Sequence, residues 1–116
     1  MRELVPLFMA FVRKKVKTFK WPVSIEEPSD GGTFDVNTFD ATFKRIGRKD
    51  FLKLSEKSEF DLLKSVLVGW DGIDDEDGKA VPFSVEALRE LSDDPYWIRG
   101  VLKAYTDTFE GAKAGN

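Results

Sequence analysis

The stretch from position 68 to 84, VGWDGIDDEDGKAVPFS, concentrates carboxylates and glycines in the way that calcium-binding loops do. A loop of the EF-hand type requires D-x-[DN]-x-[DN]-G and a closing glutamate. If Asp77–Gly78 supply the fifth and sixth positions, Ile73 occupies the first ligand position, where a carboxylate is needed. Starting the motif at Asp71 also fails, because Glu76 then replaces the required glycine. The pattern therefore indicates a solvated turn rich in Asp and Gly and no metal site.

Catalytic residue types are few in this chain. It has no cysteine and no histidine, which excludes disulfides, thiolate zinc sites, Ser-His triads and the commonest general base. The acids at 35, 40, 59 and 61 have no spacing that indicates an acid–base pair. A carboxylate-dependent enzyme would need two of them to converge in the fold.

The basic run RKKVKTFK, Arg13–Lys20, admits two interpretations. The run could bind along a single-stranded nucleic acid, with its lysines and arginine contacting phosphates and the rings of Phe19 and Trp21 stacking on bases. Alternatively, the run is the outward face of an edge strand, where lysines prevent pairing between sheets. A net charge of −3 and a pI near 5.0 favour the second interpretation.

Four aromatic residues flank the acidic stretch or open the last predicted helix: Trp70, Phe83, Tyr96 and Trp97. Rings near the ends of elements usually belong to the core. Trp and Tyr are also the preferred anchors of protein-binding surfaces. Both interpretations stay open, and Trp21 is a further candidate anchor.

The first half of the chain predicts a β-hairpin over residues 11–46. Apolar residues alternate from Phe19 to Ile25, which is the period of a half-buried strand. Pro22 indicates an edge strand, since proline donates no hydrogen bond. A turn is predicted over residues 26–32. Phe34 and Val36 have even numbers, whereas the apolar residues that follow in the strand have odd numbers, so regular alternation would place the two sets on opposite faces of the sheet. Placing both sets on the same face requires a bulge near residues 37–38.

The second half predicts three to four helices over residues 48–111. Ser58, Ser84 and Asp94 are predicted N-caps, and the apolar spacing predicts a helix over residues 59–68. Gly100 lies inside the last predicted helix, where glycine lowers helix stability. A close crossing with another helix would explain why glycine occurs there.

Strands followed by helices predict a single α+β domain over residues 1–116, with the helices packed on one face of a small antiparallel sheet. Residues 1–10 are expected to form an N-terminal arm and residues 112–116 a frayed tail. The apolar run over residues 4–12 is too short to span a bilayer. We therefore expect a cytoplasmic protein.

The centre of the chain, VGWDGIDDEDGKAVPFSVEALREL, resembles the phage tail assembly chaperones of siphovirus-type phages and prophages. These proteins share a helix that ends in Gly-Trp-acidic-Gly, an Asp-Gly turn, and a Pro-Phe-Ser helix start before a leucine-bearing helix. Upstream, FKWPVSIEEP and FDATFKRI are similar to the hairpin of the family, and PYWIRGVLKAYTDTF is similar to its final helix. The resemblance covers about residues 10–111. Residues 1–8 precede the expected start, and Met9 is an alternative first residue.

The resemblance implies an α+β fold, no enzymatic activity and no cofactor. It implies that the chain binds the tape measure protein, the largely helical protein that sets tail length, in the cytoplasm of the bacterial host. The chain would be the short form, and a frameshifted longer form would recruit the major tail tube protein. Self-association stays open, and neither membrane nor nucleic acid is an expected partner. The residues expected to bind protein are Trp21, Trp70, Phe83, Tyr96 and Trp97.

Overall fold

The computed structural model describes residues 10–12 and 17–110, and its strands and helices lie between residues 18 and 110. Most of the predicted arm, Arg13–Val16 of the basic run, and the tail from residue 111 lie outside the described residues. The elements are β1 (Thr18–Ser29), β2 (Thr33–Lys44), α1 (Arg48–Lys57), α2 (Glu59–Val66), β3 (Leu67–Asp71), α3 (Val85–Ser92) and α4 (Pro95–Glu110). No helix in the described part of the chain combines the length and apolar content that a membrane crossing needs.

The predicted hairpin is present, and its pairing is continuous. β1 and β2 are antiparallel from Ser29 opposite Thr33 to Thr18 opposite Lys44. The predicted bulge near residues 37–38 is therefore wrong. Without it, Phe34 and Val36 lie on the outer face of the sheet, where they are 60% and 58% exposed. Their apolar character suggested burial, but no element of the described residues covers these two side chains.

β1 is an edge strand, as Pro22 predicted, because the sheet order is β1-β2-β3. It also runs four residues further than predicted, through Pro28 to Ser29. The carbonyl of Lys17 accepts from the backbone N–H of Arg45 at 3.0 Å, so odd-numbered residues direct their backbone groups towards β2. Both prolines are even-numbered, and neither removes a hydrogen bond from the β1–β2 ladder.

Strand β3 was missed by the sequence prediction, which placed its first residues in a helix ending at residue 68. The helix ends at Val66, and Trp70 pairs opposite Ala41 of β2. The ladder shifts register between Thr42 and Phe43. Because of this irregularity, two β3 residues three positions apart are both buried, which a regular strand does not allow. The same spacing is typical of a helix, and that explains the error.

One face of the sheet carries the core, and α4 packs on it. A Cβ on Gly100 would lie 2.6 Å from Ile25 Cδ1 and 2.7 Å from the Ser24 carbonyl oxygen. Glycine is thus required by a close approach, although the partner is strand β1. The buried residues are Val23, Ile25, Phe39, Ala41, Phe43, Leu62, Leu63, Val66, Leu67, Trp70, Leu88, Trp97, Ile98, Val101, Ala104 and Tyr105.

The three predicted N-caps are confirmed. Ser58 Oγ accepts from the backbone N–H of Asp61 at 3.0 Å, and Ser84 Oγ accepts from that of Ala87 at 3.0 Å. An Asp94 carboxylate oxygen accepts from an N–H in the first turn of α4 at 2.9 Å. Each cap satisfies a backbone donor that the helix itself leaves unpaired, which places the starts of α2, α3 and α4.

Candidate functional site

Three of the predicted binding residues form part of a closed cluster near the start of α4. Trp70 packs edge to face on Phe83, with ring centroids 4.8 Å apart, and on Trp97 at 6.1 Å. Phe39 stacks on Trp97 at 6.0 Å and an interplanar angle of 3°. We call these four residues the tryptophan corner. Such offset and edge-to-face pairs stabilise a core beyond the area they bury.

Burial of the tryptophan corner limits what it can offer to a partner. Trp70 is 8% exposed and Trp97 is 5% exposed, while Phe83 is half-buried. The indole N–H of Trp70 donates to the Val81 carbonyl at 2.7 Å and so joins the loop after β3 to the core. Trp70 and Trp97 therefore belong to the hydrophobic core. This is one of the two interpretations that the sequence left open for these rings. Tyr96, at 40% exposure, is on the surface.

The acidic stretch is a compact turn organised by Asp75. One oxygen of its carboxylate accepts from the backbone N–H of Asp77 at 2.8 Å and from that of Lys79 at 3.0 Å. The Asp75 carbonyl also accepts from Gly78, whose φ of +81° suits glycine. Within residues 10–12 and 17–110, no three carboxylates converge as metal ligands.

An open cleft lies near the other end of α4. Residues from β1, α1 and α4 form most of its lining, five of the eleven lining residues are aromatic, and its volume is about 750 Å³. We call it the aromatic cleft. Its lining residues are Phe19, Lys20, Trp21, Arg45, Ile46, Arg48, Phe51, Leu52, Tyr105, Thr108 and Phe109.

Tyr105 joins the aromatic cleft to the core. Its ring contacts Phe43 with centroids 5.1 Å apart, Phe51 at 6.2 Å and Phe109 at 5.9 Å. Its hydroxyl donates to the Lys44 carbonyl at 3.3 Å. Burial raises the pKa of Tyr105 above its ordinary value of 10.0. The hydroxyl is therefore a neutral donor at physiological pH and fixes the base of the cleft.

The outer part of the aromatic cleft is exposed to solvent. Trp21 is 37% exposed, Leu52 is 47% exposed and Phe109 is 58% exposed. Helix α1, which carries Leu52, has no buried residue. Contiguous exposed apolar surface of this kind marks interaction sites in soluble proteins. Of the five residues predicted to bind protein, Trp21 is the one that lies here.

The charges of the aromatic cleft have one sign. Lys20, Arg45 and Arg48 line it, and among the described residues the lining holds no Asp or Glu. Lys20 Nζ lies 3.4 Å from Asp71 Oδ2, and both side chains are 70% exposed. The protein as a whole carries −3. The cleft is thus a locally positive, apolar surface on an acidic molecule.

Sequence reasoning missed most of this site. Phe19, Phe51 and Phe109 come from three elements far apart in the chain, so no local pattern connects them. The segment RIGRKDF, which runs from the end of the hairpin into the first turn of α1, was the available signal, because it places two arginines near an aromatic residue. Of the basic run proposed for nucleic acid, Lys20 lines the cleft, and Arg13–Val16 lie outside the described residues.

Comparison of this chain with protein-family models, with curated proteins and with solved structures finds no match in any of the three.

Proposed function

We propose that this chain is a tail assembly chaperone of a phage or prophage, which binds the tape measure protein and keeps it soluble until the tail tube assembles. It acts in the host cytoplasm without making or breaking a covalent bond. It is the short form, and a frameshifted longer form recruits the major tail tube protein. Two things support the proposal: the sequence resemblance and, above all, the solvent-exposed aromatic cleft.

The aromatic cleft has the chemistry that an unassembled helical protein requires. A helix awaiting assembly exposes an apolar stripe, and binding proteins cover such stripes in hydrophobic grooves. Trp, Tyr and Arg are the residues that most often dominate such interfaces, and the cleft contains all three types. Trp21 and Phe109 stand at its solvent-exposed rim, where a partner would bury them.

The expected affinity suits a temporary complex. Burying an exposed apolar side chain contributes roughly 1.5–3 kcal/mol, and three such side chains stand at the rim. Association costs about 4–15 kcal/mol in lost freedom of motion. The two ranges overlap, so the rim side chains alone do not produce a tight complex, which suits a chaperone that tube subunits must displace during polymerisation.

Co-expression with the tape measure protein of the same tail gene cluster tests the proposal. We expect the chain to raise the soluble fraction of that protein, measured after centrifugation of the lysate. The double variant Trp21→Ala/Phe109→Ala should lose most of this effect, because it removes the exposed rings of the cleft. Its own free energy of unfolding should fall by about 1 kcal/mol or less per site, as for other exposed positions.

A matched control is available on the hairpin. Phe34→Ala/Val36→Ala removes two apolar side chains of similar exposure, 60% and 58%, that lie outside the cleft. This variant should keep full solubilising activity. Equal soluble yield of the tape measure protein with and without the chain would contradict the proposed function.

Single-stranded nucleic acid is a second candidate, favoured by the combination of rings and cations in the cleft. Base stacking on aromatic side chains and contacts from Lys and Arg to phosphates are the usual elements of such binding. It predicts an affinity for oligo-dT that falls steeply as salt rises. Titration of labelled oligo-dT at low salt, with Lys20→Glu/Arg45→Glu as the comparison, tests it, and no signal change would eliminate it.

A further inference from the structure

We infer that the aromatic cleft selects a helix whose apolar stripe is bordered by acidic residues, with Lys20, Arg45 and Arg48 as the side chains that determine specificity. The inference rests on the proposed function, since it names the chemistry of the helical segment that the chaperone binds. It goes further because apolar contact alone would accept any exposed amphipathic helix.

The charge of the aromatic cleft is opposite in sign to the net charge of the molecule. The chain has 21 acidic and 18 basic residues, so acids predominate overall. In the cleft the balance reverses to three cations, with no carboxylate among the described lining residues. Complementary potentials accelerate encounter and exclude partners of the wrong sign. A helix bordered by lysines would meet repulsion there.

Each of the three cations is placed so that it can meet an acidic partner. Arg45 is held at the cleft by its backbone bond to Lys17. Arg48 is the first residue of α1, where the helix dipole disfavours a cation and reinforces its positive potential. The contact of Lys20 with Asp71 is exposed and therefore weak. Lys20 can exchange this contact for a carboxylate of the partner at little cost.

The shape and lining of the cleft favour a helix over nucleic acid. Two of its walls are helices, α1 and α4, and a helix lying in such a groove inserts side chains at i, i+3, i+4 and i+7. Ile46 and Leu52 add aliphatic surface, which suits leucine side chains. The rings of Phe51 and Phe109 meet edge to face at 78°, so their faces are partly engaged with each other. Stacked bases need free ring faces.

Synthetic peptides provide the test. Three 18-residue helical peptides share one leucine stripe and carry Glu, Gln or Lys at the bordering positions. Binding is measured by fluorescence anisotropy at low and at physiological salt. We expect the Glu peptide to bind about tenfold more tightly than the Gln peptide, as three exposed charge pairs provide, and the Lys peptide to bind weakest. The difference should shrink as salt increases.

Charge-reversed variants identify the side chains responsible. Arg45→Glu/Arg48→Glu should reverse the order of the peptides. Lys49→Glu/Lys53→Glu makes the same charge change on exposed residues that do not line the cleft, and it should preserve the order. Circular dichroism and thermal melts establish that both variants fold. Equal affinity for the three peptides, or an unchanged order in Arg45→Glu/Arg48→Glu, would overturn the inference.

Two further outcomes would assign the cleft to a different occupant and also overturn the inference. One is displacement of the Glu peptide by oligo-dT at lower concentration than by unlabelled peptide. The other is a dimer in sedimentation experiments that Arg45→Glu/Arg48→Glu dissociates, which indicates a second copy of the chain in the cleft.

The co-expression experiment separates the two proposals. Rescue of the tape measure protein without any peptide preference would overturn the inference and support the function. A clear preference for Glu without rescue would overturn the function and support the charge selectivity of the cleft.

Discussion

The tryptophan corner and the aromatic cleft are both clusters of rings, and they lie at opposite ends of α4. Trp97 is the third residue of the helix and Phe109 is its penultimate residue, roughly 18 Å away along the axis. The corner is closed and adjoins the acidic turn, whereas the cleft is open and lined by cations. Both regions are rich in aromatic residues, so the sequence alone does not distinguish them. Whether other elements cover the rings decides whether they form core or exposed surface.

The physical difference lies in what covers each cluster. At the corner, the Val81 carbonyl accepts the indole N–H of Trp70, and Phe83 covers its ring. At the cleft, α1 is the neighbouring element, and none of its residues is buried. The rings of Phe19 and Phe51 are therefore only partly covered. One cluster is buried and contributes to stability, and the other is exposed to solvent, as the proposed binding site requires.

The largest expected effect tests this division directly. Trp97→Ala should lower the free energy of unfolding by about 3–5 kcal/mol, because it leaves a cavity among Phe39, Trp70 and the sheet. Phe109→Ala should lower it by about 1 kcal/mol or less, because the ring is 58% exposed. Urea unfolding at constant pH measures both. Equal losses at the two sites would remove the distinction between a structural and a binding cluster.

Gly100 lies between the two clusters, and its substitution tests how rigidly α4 is placed. Gly100→Ala improves helix propensity by roughly 1 kcal/mol. The new Cβ, however, would clash with the Ser24 carbonyl, a backbone atom that cannot move away cheaply. We expect a net loss of about 1–3 kcal/mol in the free energy of unfolding.

Arg99→Ala is the control for Gly100, since it is an exposed neighbour on the same helix. It should change the free energy of unfolding by about 0.5 kcal/mol or less. A stabilised Gly100→Ala variant would show that α4 can shift on the sheet, and the cleft would then have no fixed width.

The smallest expected effect concerns pH and the base of the cleft. Burial raises the pKa of Tyr105 above 10.0, so the folded state holds this proton more tightly than the unfolded state. The stabilisation is therefore complete below pH 10 and declines as pH rises from 10 through the folded pKa. Tyr105→Phe should lack this component of the decline. Urea unfolding of both proteins between pH 9 and 11 measures it, and parallel curves would argue against burial of the hydroxyl.

Local features were predicted correctly because few residues decide them. Ser58, Ser84 and Asp94 were recognised as caps from their own side chains and the residues just after them. The acidic turn was recognised in the same way, since Asp75 and Gly78 meet its hydrogen-bonding and φ requirements within five positions. The order of strands before helices was then sufficient to predict an α+β fold.

Errors arose where a periodic pattern had two structural solutions. Leu67 and Trp70 fit a helical stripe and equally fit an irregular strand beside β2. Phe34 and Val36 could be directed inwards by a bulge or outwards by regular pairing, and regular pairing occurs. In each case the decision depended on a partner element distant in the sequence.

The sequence by itself determined most of the element types, their order and their caps, because these depend on contacts within a few positions. Only the tertiary structure decided which rings are covered. Trp70 and Trp97 became core when the loop after β3 and strand β2 closed over them. Trp21 and Phe109 stayed exposed because α1 leaves their cleft open. Periodicity defines a face of an element, but burial of that face depends on which other element packs against it.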